Sequence, residues 1–184
     1  MNRLFFTILI LLALQNKTFA QDLANSKNQT LCKGYIMVYA YSNIDQLEFY
    51  TLIDQKLSLK VGDEKTYSLK LPIEQFSCDK SIYLNKFFDL LQADTFPFII
   101  IEFPKDKLLG PNPQSSIPFK ITITDRTKTY NIPIYQYLCP LNNKIVLGSC
   151  DIKLSDFNID YSKKIFGIIK IKDKVTINFA VKLE

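Results

Sequence analysis

Between Ile82 and Phe103 the chain changes its period, and that change restricts the fold more than any other feature. Ile82, Leu84, Phe87, Phe88 and Leu91 recur at the three-and-four spacing of one helix face, with Ser81 as N-cap. Phe96-Pro97 then stops the helix, and Ile99, Ile101 and Phe103 alternate as in a strand. The spacing predicts one short helix near residues 81–93 that feeds straight into a sheet. The remaining segments read as strands. One helix in such a chain is expected as a plug or lid on a barrel rather than as the crossover of a βαβ unit.

Alternating stretches follow one another at 35–41, 47–53, 56–61, 67–73, 98–103, 118–124, 129–138, 144–154, 167–171 and 174–183. Turn chemistry separates them at Val61-Gly62-Asp63-Glu64, Leu109-Gly110-Pro111-Asn112-Pro113, Thr124-Asp125-Arg126, Leu141-Asn142-Asn143 and Ile171-Lys172-Asp173-Lys174. This is the spacing of an antiparallel meander, and the fold class expected is an all-β antiparallel barrel of about eight strands. In the last strand Val175, Ile177, Phe179, Val181 and Leu183 share one face, while Thr176, Asn178, Ala180 and Lys182 share the other. With 14 Phe and 10 Tyr the inward faces are well supplied with rings. A barrel of about eight strands has an interior that such side chains can just fill, or that can hold one elongated ligand.

The N-terminus carries Asn2-Arg3, an uncharged apolar run over 4–14, then Gln15-Asn16-Lys17 and the small-residue approach Thr18-Phe19-Ala20. That order is a secretory signal with cleavage after Ala20, since a membrane span needs about 20 apolar residues. The expected organisation is a signal peptide over 1–20, a polar leader over 21–34 and one barrel domain over 35–184, in the periplasm or secreted. Cleavage removes Arg3 and Lys17 and no acid, so the net charge of +5 falls to +3. The remaining lysines are dispersed, as in Lys170-Ile171-Lys172-Asp173-Lys174, where a nucleic-acid surface would need a cluster. Nucleic acid is therefore not an expected partner, and only a weak attraction to anionic membrane surfaces is.

Cys32, Cys78, Cys139 and Cys150 all follow the signal, and an even count in an oxidising compartment favours disulfides over metal. Three pairings are open, beside reduced buried cysteines. A hairpin around Pro140-Leu141-Asn142-Asn143 would set Cys139 opposite Lys144 and Cys150 opposite Pro133, too far apart for a bond limited to a Cα separation of roughly 7 Å. No CxxC spacing and no histidine occur, so neither metal nor another cofactor is expected.

The same lack of histidine removes the commonest general base and the Ser-His and Cys-His pairs. Asp151 and Asp156 could be offered as paired carboxylates, but a strand-end charge and a turn residue account for them. No catalytic residue is assigned and the chain is not read as an enzyme.

Three stretches bear on a family. Residues 85–97 (Asn85-Lys86-Phe87-Phe88-Asp89-Leu90-Leu91-Gln92-Ala93-Asp94-Thr95-Phe96-Pro97), with Ile99, Ile101 and Phe103, form a helix followed by "yP.I.i.F". Residues 119–134 are paired strands around Thr124-Asp125-Arg126-Thr127-Lys128. Gly148, then Leu154-Ser155-Asp156-Phe157-Asn158-Ile159, and later Gly167-Ile168-Ile169-Lys170-Ile171-Lys172-Asp173-Lys174-Val175-Thr176-Ile177 make a closing pattern "G…L-s-D-F-g-I…G-x-i-k-v-x-D-x-V-x-I". Together these resemble the YceI-like, polyisoprenoid-binding family, in matching order from about Tyr35 onwards. Asp125-Arg126 replaces the family's usual turn glycine, and Asn158 replaces another, a mild change because Asn tolerates left-handed backbone.

The resemblance implies a lipocalin-like barrel that holds a long-chain lipid or polyisoprenoid-like ligand without catalysis. The ligand-facing residues expected from alternation are Ile99, Ile101, Phe103, Phe119, Ile121, Ile123, Ile177 and Phe179, with Phe87 and Phe88 at the mouth. The alternative is an exported structural or protein-interaction β-domain whose core is filled.

Overall fold

Alternation of apolar and polar residues resolves into one antiparallel sheet of nine strands in a computed structural model. It describes residues 34–53, 58–60, 63–109, 116–139, 144–161 and 169–182. The strands are β1 (Tyr35–Ser42), β2 (Gln46–Leu52), β3 (Ser58–Lys60), β4 (Asp63–Pro72), β5 (Phe98–Pro104), β6 (Ser116–Ile123), β7 (Arg126–Leu138), β8 (Lys144–Lys153) and β9 (Ile171–Lys182). Their order across the sheet is β2-β1-β9-β8-β7-β6-β5-β4-β3. The chain is a meander except that β9 inserts between β1 and β8, and the sheet curls into a lipocalin-like barrel. The expected signal peptide, most of the polar leader and the turn at 141–143 lie outside the described residues.

Curling brings the β2 edge back to the segment after β4. There Tyr50 and Ser77 form one antiparallel bridge, with N–H to O distances of 2.9 and 2.8 Å. That bridge is the seam of the barrel. Between β4 and β5 run a single 3-10 turn at 73–75 and the helix α1 (Ser81–Leu91), and a five-residue helix α2 (Lys105–Leu109) follows β5. Ser81 is the first helical residue rather than the cap: Lys80 occupies the N-cap and makes no side-chain capping bond. The helix ends on Gln92 in left-handed conformation, with the Ala93 N–H donating back to Phe88 O at 3.0 Å.

Inward residues stack in rows set by the ladder. Val175 pairs with Ala40 on one side and Ile152 on the other in the row nearest the helix; Ile177 with Val38 and Cys150 follows, then Phe179 with Ile36 and Gly148. Across the barrel Leu71↔Ile99, Leu69↔Ile101 and Tyr67↔Phe103 continue those rows.

The short edge strand β3 falls within the alternating stretch expected at 56–61. Two details depart from the sequence reading. Ile171-Lys172-Asp173-Lys174 is not a reversal: β9 runs through it, and the register against β1 slips between Ala40↔Val175 and Ser42↔Ile171. The extra residues are taken up as a bulge because Asp173 is held outside, accepting from Ser155 N and Ser155 Oγ, each at 2.8 Å. The β7–β8 hairpin sets Leu138 opposite Lys144, one residue from the expected register. The expectation that Cys139 and Cys150 are not bonded to each other stands, since Cys78 and Cys150 are free thiols. Cys139 is disulfide-bonded, and Cys32 lies outside the described residues.

Candidate ligand cavity

Helix α1 lies over one end of the barrel and turns Tyr83, Lys86, Phe87, Leu90 and Leu91 towards it. Of the face expected from sequence, Phe87 and Leu91 are buried and Leu84 and Phe88 pack against the core, whereas Ile82 is 57% exposed and Tyr83 faces the barrel in its place. Phe87 anchors the helix, its ring stacked on Phe49 at 4.3 Å and tilted against Phe76 at 5.4 Å. A surface ion pair between Lys80 and Asp45 ties the helix start to the β1–β2 turn. The Lys80 ammonium holds the Asp45 carboxyl below the usual range.

Between helix and strands lies a cavity of about 60 Å³. Its barrel walls include Val38, Leu47, Phe49, Ile99, Ile123, Ile152, Val175 and Ile177, and among the described residues Lys86 is its one charged wall residue. The Lys86 Nζ reaches Asp89 Oδ2 at 3.0 Å on the outer side, so its stem is wall and its head is solvent-facing.

Of the ligand-facing residues expected from sequence, Phe87, Ile99, Ile123 and Ile177 line this cavity. Ile101 and Ile121 lie in the neighbouring row: Ile121 is buried and Ile101 is only half-buried, although its face points inward. Phe88 is half-buried beside Phe87, ring centroids 6.1 Å apart, and does not line the cavity. Phe103, Phe119 and Phe179 form a separate aromatic row with Tyr67, at centroid distances of 5.8 Å (Tyr67–Phe103), 4.8 Å (Phe103–Phe119) and 5.4 Å (Phe119–Phe179). Val38, Leu47, Phe49 and Val175 were not assigned from sequence. The same alternation would have supplied them, because Leu47 and Phe49 share a parity, as do Val175 and Ile177.

Cys150 faces the lumen between Gly148 and Ile152. Burial first, then the nearby Asp151 carboxylate, pushes its thiol up to about 12. Asp151 itself lies on the outer face, its carboxyl held below the usual range by hydrogen bonds from Lys174 at 2.7 Å and Thr176 at 2.7 Å. Asp156 instead accepts from Tyr130 Oη at 2.7 Å, and burial with that bond raises the phenol's pKa. The two carboxylates thus have separate partners and share no site.

Two solvent-open grooves flank the seam. One of about 360 Å³ runs along Tyr50–Ile53, Leu71, Pro72, Gln75 and Ser77; the other, of about 240 Å³, runs along Gln46–Glu48 and Cys78–Lys80.

A meander barrel with a helix across one mouth narrows the choice of family, and comparison with known families decides it: the YceI-like domain matches residues 50–183. The chain belongs to the YceI-like family. Among solved structures this YceI-like barrel is similar to BcnA of Burkholderia cenocepacia, with TM-score 0.61 and 16% identity over 84% of this chain and 98% of that one. It is also similar to a polyisoprenoid binding domain from Saccharophagus degradans implicated in plant cell wall breakdown, with TM-score 0.62 and 10% identity over 81% and 92% of the two chains. At such identities the likeness is one of fold. No curated protein matches the sequence.

Proposed function

We propose that this YceI-like protein is a non-catalytic carrier that holds a long-chain lipid or isoprenoid-like amphiphile inside the barrel, in the periplasm or outside the cell. The observation that carries the reading is the apolar cavity roofed by a helix that side chains, rather than a backbone ladder, hold in place. The Saccharophagus degradans domain, described as polyisoprenoid binding, supports the ligand class.

Burial of apolar chain contributes about 0.8 kcal/mol per CH₂, so roughly ten methylenes supply ~8 kcal/mol before ordering costs. The cavity of about 60 Å³ has room for a few waters, whereas small-molecule pockets span roughly 300–1,000 Å³. Loading therefore requires α1 and its Phe87 anchor to move away from the barrel. The half-buried inward residues Val38, Ile101, Cys150 and Ile177 are the surface such a movement would offer to a chain.

Native mass spectrometry of protein purified from its own envelope or medium tests this reading, with a retained lipid mass as the expected result. A bare chain that also takes up no fluorescent fatty acyl probe would count against it and favour the filled β-domain, to which the aromatic row lends support. N-terminal sequencing of the same sample is expected to begin at Gln21; an intact Met1 would sink the export reading. Flotation with anionic vesicles checks the weak surface attraction, expected to vanish at high salt.

A further inference from the structure

Along β9 the inward residues Ile171, Val175 and Ile177 line the cavity, and the next one, Phe179, does not. Phe179 is 6% exposed. Its ladder partner on β8 is Gly148. A Cβ built on that glycine would lie 2.2 Å from Phe179 Cζ and 2.7 Å from Cε1, so the ring rests directly on the glycine backbone in space that any side chain would take. On its other side the ring meets Phe119 at 5.4 Å, which meets Phe103 at 4.8 Å, which meets Tyr67 at 5.8 Å.

Tyr67, Phe103 and Phe119 lie side by side on the adjacent strands β4, β5 and β6, and Phe179 meets them from β9, three strands further round, so the contact of Phe119 with Phe179 spans the lumen. The cavity walls on the same strands lie to the helix side of the rings: Ile177 before Phe179, Ile123 before Phe119 and Ile99 before Phe103. An apolar chain entering under α1 would travel down β9 past Ile177 and meet the Phe179 ring.

We infer that Phe179, seated on Gly148, is the floor of the lumen and determines how long an apolar chain the barrel accepts. The inference rests on the carrier reading and adds a specificity-determining pair to it. Gly148 is needed because only a residue without a side chain lets the ring lie back against β8. With a methyl there, and with Phe119 behind it, the ring must swing towards the cavity.

The test uses the mature full chain and a series of isoprenols of two to nine isoprene units, competing with a fluorescent aminoanthracene probe. Affinity for the wild type is expected to rise with length and then stop rising at a limit. Phe179→Ala and the milder Phe179→Leu, each checked for folding by circular dichroism, should move that limit to chains at least one unit longer. The first length beyond the old limit should gain about tenfold or more, as expected for several newly buried methylenes. Gly148→Ala should move the limit the other way. An unchanged limit in Phe179→Leu and Gly148→Ala, both folded, overturns the floor while the carrier reading stands. Failure of every isoprenol to displace the probe from the wild type overturns the carrier reading and the floor with it.

Discussion

The two halves of the barrel interior use their apolar residues in opposite ways. Beneath α1 the walls are mostly aliphatic, Val38, Ile99, Ile123, Ile152, Val175 and Ile177, and they leave a void. At the far end Tyr67, Phe103, Phe119 and Phe179 lie ring against ring, and each is at most 6% exposed. Branched aliphatics from several strands meet at a distance fixed by the barrel's width and stop short of one another. Four interlocking rings bridge the same width. Stability thus resides at one end and capacity at the other, within one continuous sheet.

Truncation should separate the halves most sharply. Phe119→Ala, within the ring row, is expected to cost about 4 kcal/mol, and Phe87→Ala, whose ring already borders a void, about 2–3 kcal/mol, because a side chain beside empty space loses fewer contacts. Urea denaturation of both variants measures the gap; equal losses would mean that the helix end is packed as tightly as the ring end. Saturating the protein with a fatty acyl probe should enlarge the loss in Phe87→Ala and leave that in Phe119→Ala alone, so that the gap narrows.

Charge insertion gives the next effect. Ile177→Glu introduces a carboxylate without a partner into the cavity wall, at about 2 kcal/mol where the void can admit water and several kcal/mol in a dry core. Thr176→Glu, on the outer face, exchanges the hydrogen bond to Asp151 for a second carboxylate opposite it, and should cost roughly 1 kcal/mol. Lipid co-purification should be lost in the first variant and kept in the second. If the Thr176 change is the damaging one, the inward face of β9 has been misassigned.

Cys150→Ala is the smallest change at neutral pH, at about 1 kcal/mol or less, and its value lies in pH. Because the folded thiol titrates near 12, well above an ordinary cysteine, the contribution of this group is complete below about pH 8.5 and is lost as pH rises towards 12. Alkaline destabilisation over that window should be shallower in Cys150→Ala. In a Cys78→Ser background at pH 8, the native Cys150 thiol should react with a maleimide far more slowly than in the denatured chain, since only about one part in ten thousand is thiolate; a fast native reaction would show that the lumen is wet at this row.

Much of this was legible in the residues. Alternation gave the strands and their inward faces, and Phe96-Pro97 gave the end of the helix. The helix face could not be fixed because Ile82 and Tyr83 are both apolar and adjacent, so the period alone does not choose between them. The bulge in β9 was hidden for another reason: Lys172-Asp173-Lys174 has the composition of a turn, and what straightens it is Ser155, a contact visible only in three dimensions. Asn158 was read correctly as tolerating left-handed backbone, at φ +57°. The same φ at Thr124 was not anticipated, since a β-branched residue seldom adopts it. Its hydroxyl donates to Phe157 O at 3.1 Å, pinning the β6–β7 turn to the 3-10 turn at 154–157. Nor could alternation divide the interior into a void and a ring row, because it assigns faces and not heights along the barrel.

The bridge between Tyr50 and Ser77 bears on the girth of the molecule. In a barrel laddered all the way round, strand number and stagger determine the diameter, and widening it means breaking many hydrogen bonds at once. Here, among the described residues, the circumference is completed at one pair, with an open groove to either side. Above and below that stitch, no backbone pairing among the described residues fixes the separation of β2 from the segment it meets. The barrel behaves as a strip rolled and fastened at one point, whose bore can differ from one height to the next.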